Sequence, residues 1–152
     1  MVVHAQNCKL VSMTPPAAIV DDASYTTAEV DTLGWDYAKI TVYLGASDIA
    51  VAAAAVTESD TSGSGHANVT GLIWGTSNNI AGSTSTLPSA TDDNKFFVFD
   101  IDLQGRKRYL DLTLTAGDGT AGTFAVAWCE LSRGEDTPTT AAQRGAAEIL
   151  RV

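Results

Sequence analysis

The feature that most constrains this chain is a strict two-residue alternation of apolar and polar side chains, repeated over several short stretches. In YAKITVYLG, Ala38, Ile40, Val42 and Leu44 take one side while Tyr37, Lys39, Thr41 and Tyr43 take the other. In FFVFDIDL, Phe97, Phe99, Ile101 and Leu103 are uniformly apolar, and Phe96, Val98, Asp100 and Asp102 run from apolar to acidic opposite them. YLDLTLT sets Leu110, Leu112 and Leu114 against Tyr109, Asp111, Thr113 and Thr115. A helix would scatter these side chains around its circumference, whereas a strand sends alternate side chains to opposite faces. Each stretch is therefore expected to be a strand with one face to bury.

TFAVAWCEL alternates Phe124, Val126 and Trp128 with Ala125, Ala127, Cys129 and Leu131. Being apolar on both sides, it is expected to be covered on both, with Trp128 buried. AGDGTAG supplies the Gly and Asp of a tight turn before it. Residues 96 to 131 thus read as a three-strand antiparallel meander. NCKLVSM, TTAEVDTL and IAVAAAAVTE are shorter candidates; Val51, Val56 and Thr57 favour a strand over a short helix in the last. ESDTSGSGHANVTG and NNIAGSTSTLPSATDDN read as polar loops. About seven or eight short strands so connected predict an all-β fold, an antiparallel β-sandwich of the jelly-roll kind. Trp35, Trp74 and Trp128 are expected to fill space between its sheets.

A length of 152 residues suits one domain with a real core. The β body is expected over residues 1–132, its first thirty residues forming either a strand of the sheet or an arm. After Leu131 the alternation stops. Residues 133–152 read as an extended C-terminal arm with a helical turn, whose apolar Ile149, Leu150 and Val152 must dock on the body or on a neighbouring subunit. The arm's three arginines, Arg133, Arg144 and Arg151, balance Glu135, Asp136 and Glu148, so the whole net charge of −9 resides in the body. That charge disfavours a nucleic-acid coat. No stretch approaches the roughly 18 apolar residues of a membrane helix, and the opening MVVHAQNCKLVSM lacks the basic start and apolar run of a secretory signal. The chain is expected to be soluble and made in a cytoplasm, with Cys8 and Cys129 as buried thiols.

The inventory for catalysis is thin. His4 and His66 are the only histidines, neither set beside a nucleophile, and no GxSxG elbow, phosphate-binding loop or HExxH motif occurs. No enzyme activity, cofactor or catalytic residue is expected. Asp92, Asp93, Asp100, Asp102 and Asp118 are the carboxylates that could be asked to hold an ion or do acid–base work. Their positions at turns and strand ends favour structural roles, with ion binding by Asp92 and Asp93 left open. A small metal-dependent enzyme would need Asp92, Asp93, Asp100 and Asp102 to converge.

Arg106, Lys107 and Arg108 hold a third of the nine Lys and Arg in three consecutive positions. Within residues 100 to 111 they are matched by Asp100, Asp102 and Asp111, which a meander would bring to one face. Local charge compensation is therefore expected of them, compatible with contact to an acidic surface on another subunit. Arg106, Lys107, Arg108, Arg133, Arg144, Ile149 and Leu150 are accordingly the candidate interface residues.

Three stretches add a resemblance. Gly34-Trp35-Asp36-Tyr37-Ala38, the hairpin DLQGRKRYL at 102–110, and the run from Ser132 to Pro138 occur in the order and form found in a group of small tailed-phage and prophage proteins. The chain after about residue 30 resembles that group. The resemblance implies a virion structural protein, with a capsid decoration or cement protein as the leading role. It implies a major capsid protein and further copies of itself, as a homo-trimer or homo-dimer, as partners. It implies no nucleic-acid or membrane partner, and a location on the capsid surface after synthesis in the host bacterial cytoplasm. A head fibre, connector or tail protein is the alternative; a carbohydrate-binding sandwich is a further one and would need a solvent-exposed Trp.

Overall fold

A computed structural model describes residues 7–76, 80–83 and 86–150. The fold is an all-β sandwich of two four-stranded antiparallel sheets. Its strands are β1 (Cys8–Thr14), β2 (Val30–Asp31), β3 (Trp35–Ser47), β4 (Ala53–Ser59), β5 (Ala67–Ile73), β6 (Phe96–Asp102), β7 (Tyr109–Thr115) and β8 (Thr123–Gly134). Sheet A runs β1-β8-β3-β6 and sheet B runs β2-β7-β4-β5. The pairs are nested: β1 with β8, β2 with β7, β3 with β6, and β4 with β5. The chain is in effect one long hairpin rolled onto itself, closed by the β3–β8 and β4–β7 ladders.

Alternation set the inward faces. Ala38, Ile40, Val42 and Leu44 from β3, Phe99 and Ile101 from β6, and Ala127, Cys129 and Leu131 from β8 face Val56 of β4 and Leu110, Leu112 and Leu114 of β7 across one buried cluster. Burying each large side chain there contributes roughly 1.5–3 kcal/mol. The N-terminal segment belongs to this body. Beyond β1, it bridges Val20 to Thr123 and Ser24 to Thr115 before entering β2, and the buried Tyr25 hydroxyl donates to the Thr123 carbonyl.

Three expectations are corrected. The meander does not form: β6 and β8 lie in sheet A and β7 in sheet B. An inward-facing side chain looks the same whichever sheet carries it, so alternation could not assign sheet mates. Trp128 is half-buried on the outer face of sheet A, paired with Thr41 and Ser12. Ile40 and Val42 already fill the core opposite β8, and the small Cys129 and Ala127 are their cross-strand partners. Finally, ANVTGLI, whose ANVTG falls in an expected polar loop, forms β5 and buries Val69.

Candidate functional site

The basic triplet lies in the connection that carries the chain from β6 in sheet A to β7 in sheet B. Its partners are not the sequence-adjacent aspartates. Arg106 approaches Glu58 at 3.4 Å, the Lys107 amide donates to Glu58 at 3.1 Å, and the Lys107 ammonium lies 3.8 Å from Asp60. Arg108 makes a two-pronged bond to Asp31, Nε to Oδ1 at 2.8 Å and Nη2 to Oδ2 at 2.7 Å. That fork, led by the Arg108 hydrogen bond, holds the Asp31 carboxyl below the usual range. Asp100 and Asp102 point out from sheet A, whereas Asp111 sits on the outer side of sheet B, against Thr57. The triplet is thus neutralised by β2 and by the end of β4, which leaves little unbalanced charge for a phosphate backbone.

The arm is folded back on the body. β8 runs on to Gly134, whose amide donates to Asn7 Oδ1 and whose carbonyl accepts from Asn7 Nδ2. Residues 140–146 make a hydrogen-bonded turn, opened by Gln143 donating its amide to Thr140 Oγ1 and closed by Gly145 in the left-handed region. This turn lies on the open side of β1, where the Leu10 amide donates to the Arg144 carbonyl at 2.9 Å. A side chain at Gly145 would overlap the Leu10 carbonyl, so only glycine permits the approach. Arg144 and Glu130 both stand near Cys8, whose thiol is raised first by burial and then by Glu130. Arg133 stacks its guanidinium 5.3 Å over the Tyr37 ring. Ile149 is marginally exposed and Leu150 is 97% exposed. Of the predicted interface residues, the structure brings the triplet together at one end of sheet B and sets Arg144 on the β1 edge, apart from that group.

The acidic positions are committed to local bonds. Asp92 accepts from Lys95 Nζ and from the Ser89 amide and hydroxyl; led by the Lys95 bond, these lower its pKa from 3.8 to about 2. Asp93 accepts from the Ser47 amide, Asp102 from the Gln104 amide, and Asp100 faces Lys39 at 4.0 Å. Among the described residues, no three His, Cys, Asp or Glu side chains gather as a metal site would require. His66 lies 3.0 Å from Glu29, and His4 falls outside the described residues.

The surface that sequence reasoning missed is the outer face of sheet A. Alternation along β6 turns Phe96 and Val98 outward, 62% and 38% exposed. Beside them β3 presents Tyr43 and Thr41, then β8 presents Val126 and Trp128, with Phe124, 43% exposed, further along. Tyr43 and Phe96 stack at 4.6 Å, which fixes the ring at the edge of this strip. Thr41, flanked by Trp128 and Val98, is buried although it faces outward. The result is an apolar band across three strands outside a sandwich whose core is already filled. The signal lies in the apolar second faces of FFVF and TFAVAW, of which the sequence expects the latter to be covered within the fold.

A concavity of about 400 Å³ opens between the edges of β5 and β6, lined by Leu72, Trp74, Ile80, Phe97 and Phe99 and rimmed by Phe96 and Val98. Trp74 packs edge-on against Phe97 at 5.8 Å. All three tryptophans are half-buried, none exposed as a sugar platform would require. Comparisons with protein-family models, with curated proteins and with solved structures return no match.

Proposed function

We propose that this chain is a structural protein of a tailed-phage virion, a capsid decoration protein that binds the outer surface of the shell and bridges its subunits. The observation that carries the reading is the apolar band of sheet A. Folding does not require these side chains to face outward, yet Phe96, Phe124 and Val98 do so side by side with Trp128 and Val126. A band of this kind, spread over three strands, suits another protein surface better than a small molecule. Each large side chain newly buried contributes roughly 1.5–3 kcal/mol, and many copies on a repeating lattice combine modest contacts into a firm hold. The sequence resemblance in DLQGRKRYL and around Gly34–Ala38 supports the virion setting. The nested strand pairing supports a jelly-roll assignment for the sandwich.

In this reading the arm is the clamp on the body's own β1 edge, and the neutralised triplet fastens the end of sheet B. The chain acts by adhesion, on the capsid surface, after synthesis in the bacterial cytoplasm. Copy number tests the role: quantitative mass spectrometry of purified particles should find hundreds of copies per virion. A dozen or fewer would instead make it a head-fibre, connector or tail component.

A further inference from the structure

We infer that two copies of this chain join through β6, edge to edge and antiparallel about a two-fold axis, making the two A sheets continuous. The inference takes up the self-association in the proposal above. Its test uses the isolated protein, so a monomer refutes the pairing and leaves shell binding standing.

The sheet edges single out β6. The β1 edge is occupied by the arm through Leu10 and Arg144. β2 is only two residues long, and Gly71 and Ile73 of β5 have interactions of their own. β6 is seven residues long, ends sheet A and, among the described residues, pairs only with β3. Leu103 directs its amide to the Asp36 carbonyl of the β3 side. Counting back by twos, Ile101, Phe99 and Phe97 do the same, so Val98 and Asp100 turn their amides and carbonyls to the open side. Among the described residues no strand takes these groups, while Ile80, Gly82, Ser83 and Thr86 line a concavity beside Phe96–Asp100; an open edge of this length is a template for another strand.

The outward side chains of β6 choose the register. Pairing centred on Asp100 would oppose two carboxylates, which is unfavourable. Pairing centred on Val98 would set each Phe96 against an Asp100. Centring on Phe97 sets Phe96 of one copy against Val98 of the other, apolar against apolar, and carries each Asp100 past the start of the partner's β6 at Phe96. The two Asp100 carboxylates then stand roughly 20 Å apart along the strands, six residues at about 3.3 Å each. This register also brings the apolar bands of both A sheets together across the axis. The pairing is isologous and closes as a dimer instead of growing into a filament.

The experiment is sedimentation equilibrium of the full chain with disulfide trapping. The unmodified protein should have twice the chain mass of 15.8 kDa, and Val98→Pro should reduce it to the monomer mass. That proline removes an amide on the open side and leaves the β3 ladder intact; circular dichroism verifies the strand content, and Phe96→Asp is the second variant should the first misfold. Under mild oxidation, Phe96→Cys/Val98→Cys should form linked dimers while Val98→Cys alone should not, since cross-strand neighbours fall within disulfide reach. A monomeric unmodified protein with native circular dichroism overturns the pairing. Trapping by Val98→Cys alone overturns the register.

Discussion

The outer faces of the two sheets obey the same alternation and differ in what they display. Sheet B turns out Ala53, Ala55 and Thr57 from β4 and Tyr109, Asp111, Thr113 and Thr115 from β7, mostly small or polar residues, of which Ala55 is buried. Sheet A turns out Phe96, Val98, Tyr43, Phe124, Val126 and Trp128. Both sheets give large apolar side chains to the core, so folding does not account for the contrast. Residues whose direction is fixed by the strand but whose identity is not needed for the core are where a second role is written.

The largest effect should come from cutting the inward face that the sheets share. Leu112→Ala, with Leu112 buried against sheet A, should lower unfolding free energy by roughly 2–5 kcal/mol in urea titration. The same loss from Thr113→Ala, its outward neighbour, would break the division between inward and outward residues. Next, Gly145→Ala should detach the arm from Leu10, leaving the body folded and opening residues 135–150 to limited proteolysis. Unaltered protease resistance would mean that the arm is held elsewhere.

Phe96→Asp with Phe124→Asp should keep the native circular dichroism and lower occupancy on shells by roughly ten-fold or more. Acid sharpens the account of the connections at the ends of the sandwich. Asp31, Asp48 and Asp92 all have lowered pKa values, led respectively by bonds from Arg108, the Ala121 amide and Lys95. Carboxyls depressed in the folded state stabilise it fully above their unfolded pKa and lose that effect as pH falls through the folded one. The melting temperature should thus be flat at neutral pH and fall between about pH 4 and about pH 2, and Asp92→Asn should blunt the fall.

How much was legible follows from what alternation encodes. It gave the inward residues of β3, β6 and β7 one by one, because period two is a property of the strand alone. It could not say that β6 and β7 belong to different sheets, since both bury the same kind of face. That ambiguity misassigned the partners of Arg106, Lys107 and Arg108: Glu58, Asp60 and Asp31 are distant in sequence and adjacent only once the connection crosses between sheets. In β8 both faces are apolar, so period two gave two equal answers, and the bulk of Ile40 and Val42 settled which side Trp128 took. β5 was missed because its buried Val69 is flanked by Asn68 and Thr70, which read as loop.

The central claim is that sheet A is the adhesive face, and it is tested most directly by adding protein to capsid shells lacking it and measuring bound copies. The account predicts full occupancy for the unmodified chain and for a Thr113→Asp control on sheet B, with binding lost for Phe96→Asp/Phe124→Asp. Equal occupancy by the sheet A variant, or loss with the sheet B variant alone, would contradict it.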